Sequence, residues 1–140
     1  MFRSAAPFSR RILLKSLAAM GLLGSLVAAE ASDELSVSLD AARAELEAGR
    51  AVLIDIREPN EQATGVARGA RLLPMSQIGQ RLAEIPGDPT QPVLLVCNTQ
   101  NRSSRTLKAL RERGYGNVRF VEGGMSEWVR RGWPVVKPGL

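Results

Sequence analysis

Apolar positions along this chain fall into short blocks that alternate between two spacings. Leu35, Val37 and Leu39 recur at every second residue and predict a strand, after which Asp40 is placed to cap a helix over 41–48 that Gly49 stops. The run Ala51-Val52-Leu53-Ile54-Asp55 predicts a buried strand, and Glu58 to Thr64 a short helical turn begun near Pro59. A second short strand is expected over Ala70 to Leu73, ending at Pro74, followed by a helix over 77–85 capped by Ser76. Pro86 to Pro92 is rich in turn formers and reads as a loop. Val93 to Val96 is the most apolar strand; beyond it Thr106, Leu107 and Leu110 mark the inner face of a helix closed by Gly114. Val118 to Val121 predicts another strand, Gly123-Gly124 a turn into a short helix carrying Trp128 and closed by Gly132, and Trp133 to Val136 a tail.

Strands alternating with helices in this way predict an α/β domain, with a mostly parallel central sheet flanked by helices on both faces. Functional loops of such sheets gather at the carboxyl ends of the strands. The segment that follows Val96 is therefore the first place to look for chemistry.

The amino terminus reads differently from the rest. Arg3, Arg10, Arg11 and Lys15 make a basic start, Ser16 to Ala29 is uncharged and mostly small or apolar, and Val27-Ala28-Ala29 or Ala29-Glu30-Ala31 offers small residues for cleavage. Residues 1–31 are thus expected to be an export signal, with one compact domain over 32–140. The apolar stretch is shorter than the roughly 18–20 residues of a permanent span. No stable membrane span is expected after cleavage. Arg10-Arg11-Ile12-Leu13-Leu14-Lys15 resembles the twin-arginine export signature, with Leu13 where phenylalanine is favoured, and general secretory export stays open. Either route places the mature protein in the periplasm. Four of the 19 basic and one of the 14 acidic residues lie in this segment, leaving 15 and 13. That balance, without a basic tract, argues against nucleic-acid binding.

Cys97 is the only cysteine and there is no histidine. Internal disulfides and all Cys-His or Ser-His catalytic arrangements are excluded, and a zinc site is disfavoured. The thiol stands where the apolar strand hands over to a helix, ahead of Asn98-Thr99-Gln100-Asn101-Arg102-Ser103. Unsatisfied N–H groups at a helix start, its macrodipole and Arg102 together favour a thiolate there, which makes Cys97 a candidate nucleophile. A buried cysteine acting as a small hydrophobe is the competing reading.

Four stretches carry a family resemblance. Asp55-Ile56-Arg57-Glu58-Pro59-Asn60-Glu61, then Gly65-Val66-Ala67-Arg68-Gly69-Ala70 with Pro74, then Cys97 to Arg102, and finally Gly123-Gly124 with Trp128, Gly132 and Pro134 stand in the order seen in single-domain rhodanese-like sulfurtransferases. The resemblance implies the rhodanese-like α/β fold. It also implies a Cys97 thiolate that takes a sulfane sulfur from a small anionic donor such as thiosulfate, holds it as a persulfide and passes it to cyanide or to a thiol, including the thiol of a protein acceptor. No cofactor is expected. Arg102 would offer charge to the donor; Asn98, Thr99, Gln100, Asn101 and Ser103 would line the loop whose amides hold the outer sulfur. Arg57 is a weaker assignment, since with Asp55 it also reads as a structural charged pair.

The chain departs from the family pattern twice. Val66 stands where histidine is common, which removes a structural hydrogen-bonding group. Gln100 stands where the loop commonly has glycine; a positive φ there would cost a Cβ-bearing residue on the order of 1 kcal/mol, and its amide would narrow the pocket. The rival function is a non-catalytic or sulfur-carrier module serving a partner protein. Cysteine phosphatases have a similar loop with five residues between cysteine and arginine; here four intervene, a smaller cradle suited to a sulfur atom.

Overall fold

The computed structural model describes residues 34–139; the expected export signal and its cleavage sites lie outside the described residues. Five strands, β1 (Ser36–Val37), β2 (Val52–Asp55), β3 (Arg71–Leu72), β4 (Val93–Val96) and β5 (Val118–Val121), alternate with four helices, α1 (Leu39–Glu47), α2 (Pro59–Gln62), α3 (Asn101–Glu112) and α4 (Gly124–Arg130). The sheet runs in the order β1-β5-β4-β2-β3 and every pairing is parallel.

The all-apolar sequence of β4 is explained by its central place: it pairs with β2 on one side and β5 on the other, and all four residues are buried. Period two then sorts the strand residues between two cores. Ile54, Val93, Leu95, Cys97 and Val118 pack on one face with Leu107 and Leu110 of α3, whereas Leu53, Leu94, Val96 and Val121 pack on the other with Leu39 and Ala42 of α1 and Met125 and Trp128 of α4. Cys97 therefore belongs to the α3 side.

Three expectations are corrected. Ser38, not Asp40, caps α1: its hydroxyl accepts from Ala41 N–H at 3.1 Å, and Leu39 joins the helix as a buried residue instead of ending the strand. The helix expected over 77–85 is replaced by two single 3₁₀ turns, Met75–Gln77 and Leu82–Glu84. Gly79 sits in the middle of that stretch, where it disfavours helix; Arg81 N–H still reaches Gln77 O at 3.0 Å, but the backbone leaves helical geometry at Arg81 itself (φ −117°, ψ 25°), whose guanidinium bonds Leu72 O. The tail is not loose either. Val136 and Val66 exchange two backbone hydrogen bonds of 2.8 Å, and Trp128 Nε1 donates to Pro134 O at 3.0 Å. Val66 is buried, so the position where the family resemblance led to an expectation of histidine is held here by apolar packing and a backbone bridge.

Candidate active site

Cys97 follows the last residue of the central strand, so its place is set by the ladder on both sides of β4. Cys97 is 1% exposed, and its Sγ lies 3.3 Å from the Oγ of Ser103, in the first turn of α3 and itself fully buried. The Ser103 hydroxyl also lies 3.2 Å from the carbonyl of Gln100, to which it donates. A thiol at Cys97 can therefore donate to Ser103 Oγ while the hydroxyl proton rests on Gln100. When the sulfur carries a negative charge, rotation of the same hydroxyl turns it into a donor to sulfur. Among the described residues, no acceptor takes the backbone N–H groups of Asn98, Thr99 or Gln100. These three donors follow the sulfur in the chain and precede the start of α3, where anions are favoured.

The loop is held from its carbonyl side by α4. Met125 N–H donates to Cys97 O at 2.8 Å and Ser126 N–H to Asn98 O at 2.9 Å, so the first turn of α4 is capped by the backbone of the thiol loop. Gly124 makes this approach possible: its φ is +63°, and a Cβ there would lie 2.6 Å from both Cys97 O and Asn98 O and would also overlap Thr99 O. Gln100 closes the same junction from the other direction, its Oε1 accepting from Gly123 N–H at 3.1 Å. The φ of Gln100 is −153°, so the backbone cost expected for a Cβ at this position does not arise. Its side chain is used as a tie between loop and α4.

Arg102 points to α2. It meets Glu61 through two parallel bonds, Nη1 to Oε2 and Nη2 to Oε1, each 2.7 Å. Glu61 Oε2 also accepts from Glu58 N–H at 2.9 Å, closing the first turn of α2. The Arg102 guanidinium is the main reason that the Glu61 carboxyl lies at about 2, well below the ordinary 4.5, and the same pair raises Arg102. Arg57 takes a different part. It is buried, its guanidinium bonds Asp55 (Nη2 to Oδ2, 2.7 Å) and Gly65 O (2.8 Å), and its backbone N–H also donates to Asp55. Asp55 ends β2 and Gly65 follows α2, so this pair braces the α2 segment beneath Glu61.

The structure thus gathers Cys97, Asn98, Thr99, Gln100, Asn101, Arg102 and Ser103 into one strand–loop–helix junction, with Asn98 to Asn101 exposed at its rim. Arg57 stands behind the junction. Glu61 was inside a recognised motif yet had no role from sequence; the glutamate three residues after Glu58, completing a capping pattern, was the available sign. The turn expected at Gly123-Gly124 gives Gly124 a backbone role, and in the structure that role serves the thiol loop.

A model of the rhodanese-like domain matches residues 38–131. A sulfurtransferase of Allochromatium vinosum is 40% identical over 87 residues, which cover 62% of this chain and 79% of that protein. The uncharacterized protein YqhL of Bacillus subtilis is 43% identical over 79 residues, 56% of this chain and 61% of that protein. Among solved structures, a human single-domain sulfurtransferase, TSTD1, superposes with a TM-score of 0.59 at 26% identity, covering 69% of this chain and 96% of the other. A thiosulfate sulfurtransferase of Pseudomonas aeruginosa gives a TM-score of 0.65 at 26% identity, over 74% of this chain and 20% of that one.

Proposed function

We propose, for a chain that belongs to the rhodanese-like domain family of sulfurtransferases, that Cys97 is the sulfur-carrying nucleophile and that thiosulfate and cyanide or thiols are among its donors and acceptors. The observation that carries this reading is the buried Cys97 Sγ at 3.3 Å from a buried hydroxyl, beside loop N–H groups that have no acceptor among the described residues. In the first step the thiolate attacks the sulfane sulfur of the donor. A new S–S bond forms to Cys97, the donor S–S bond breaks, and its electron pair leaves with sulfite when thiosulfate is the donor. The persulfide anion then lies among the loop N–H groups, while Ser103 donates to the inner sulfur. In the second step a thiol or cyanide attacks the outer sulfur, the Cys97 persulfide bond breaks and the thiolate returns.

Donors already in place when charge develops lower a barrier without further reorganisation, by a few kcal/mol where such groups have been removed elsewhere. With no second cysteine in the chain, the persulfide has no internal disulfide to form, so its sulfur leaves to an external acceptor. The test is intact-mass measurement after thiosulfate treatment. Wild type should gain one sulfur atom, lost again on addition of cyanide or a small thiol, and Cys97→Ser should gain none. A wild type that stays unmodified by sulfane donors would instead favour a binding module for a partner protein.

The basic, apolar and small-residue order of residues 1–31 supports a periplasmic place for the mature protein. Fractionation should recover a shortened chain there. A twin-arginine route requires that Arg10→Lys with Arg11→Lys block export.

A further inference from the structure

The sulfur-transfer steps leave Glu61 unused, although it makes the closest side-chain contacts of Arg102. We propose that Glu61 sets donor choice: by closing Arg102 into a two-bond ion pair it turns the Cys97 site toward singly charged organic persulfides and away from the thiosulfate dianion. The inference rests on the sulfurtransferase reading of Cys97.

Asn98, Thr99, Gln100 and Asn101 are uncharged, so Arg102 is the cation that the loop brings. Its two terminal nitrogens are both engaged by Glu61 at 2.7 Å, which reduces its charge to the weaker field of a dipole beyond the pair. Arg57 is closed in the same way on Asp55. At the N-cap of α2 stands a second carboxylate, Glu58, bonded to Ser76 N–H at 3.1 Å and Ser76 Oγ at 2.8 Å and, among the described residues, not to a cation. What is left to attract an anion is the set of loop N–H groups and the start of α3, equivalent to roughly half a unit charge, together with Arg105, which is exposed, bonds Asn101 O through Nε at 3.3 Å and is screened by solvent. That suits one negative charge better than two.

The chemistry balances for the persulfide donor. The Cys97 thiolate attacks the outer sulfur of R–S–S⁻, the Cys97 S–S bond forms as the donor S–S bond breaks, and R–S⁻ departs with the electron pair. Total charge is two negative on either side, against three with thiosulfate, and the lower figure is the one a near-neutral site tolerates.

Donor preference is read as the ratio of kcat/KM for thiosulfate to that for 2-hydroxyethyl persulfide, whose organic group carries no charge, with the Cys97 persulfide followed by mass. Wild type should favour the persulfide. Glu61→Gln retains an oxygen for the Glu58 N–H and frees the Arg102 charge. It should raise the ratio on the order of tenfold, the effect of one charge on one extra unit of substrate charge across roughly 10 Å at a protein-like dielectric. Glu61→Asp keeps the carboxylate and should stay near the wild-type ratio, and Glu58→Gln, which leaves the Arg102 pair intact, should shift it less. A wild type that prefers thiosulfate, a ratio unmoved in Glu61→Gln, or equal shifts in the Gln and Asp variants would each overturn the proposal. Failure of both donors to load wild-type Cys97 would instead overturn the sulfurtransferase reading.

Discussion

Replacing Gly124 by alanine should damage the thiol loop far more than the same change at Gly132, and the contrast isolates how α4 holds the site. Both glycines have positive φ, +63° and +71°, so both variants bear the left-handed cost of a Cβ, about 1–2 kcal/mol. At Gly132 no atom of the described residues lies within 4 Å of the added carbon. At Gly124 it meets the backbone carbonyls of Cys97 and Asn98 at 2.6 Å, and that of Thr99, none of which is the free end of a side chain. Relief requires α4 to withdraw, which stretches the hydrogen bonds from Met125 to Cys97 and from Ser126 to Asn98. Two such bonds at about 1 kcal/mol each, with overpacking of about 1–3 kcal/mol overlapping them, place Gly124→Ala some 2–4 kcal/mol below Gly132→Ala. In a domain of this size that is about 10–20 °C in Tm. Urea unfolding gives the difference, and alkylation of the single thiol reports the loop: a withdrawn α4 should expose Cys97 and speed its reaction. Equal stabilities for the two variants, within about 0.5 kcal/mol, together with alkylation of Gly124→Ala at the wild-type rate, would refute the reasoning.

The remaining expectations concern charge. Asp55→Ala leaves the buried Arg57 guanidinium without its carboxylate and should cost about 3–5 kcal/mol by denaturant unfolding, with α2 becoming protease-sensitive. Arg102→Lys keeps one charge but loses the fork that engages both oxygens of Glu61, so donor turnover should fall while the urea midpoint changes little; equal kinetics for wild type, Lys and Ala would remove Arg102 from the site. Glu61 sits at about 2 in the folded chain against 4.5 ordinarily, so its contribution to stability is present above 4.5 and is lost as pH falls through about 2. With both side chains about a quarter to a third exposed, the contribution discounts to about 1–2 kcal/mol, and the stability gap between wild type and Glu61→Gln should close over that acid range.

What the sequence determined by itself is the part written in chain neighbours. Unbroken apolar runs at 51–54 and 93–96 specify strands buried on two faces, period two divides their side chains between two cores, and the hand-over from Val96 to α3 puts a lone thiol at the carboxyl end of the central strand. Local spacing of this kind acts through backbone geometry, which is the same wherever the segment is placed. The tertiary structure decided which way the polar side chains turn. Arg102 turns to Glu61, 41 residues away, Gln100 to Gly123, 23 residues away, and the tail to Val66, because each has a partner only after the sheet has assembled. The helix foreseen over 77–85 stops at Arg81: one turn forms through Gly79, and the Arg81 guanidinium then reaches the edge of β3 at Leu72 O, a partner present only in the assembled sheet. A pattern read along the chain records what must be buried. The direction of a charge depends on what the fold brings within 3 Å of it.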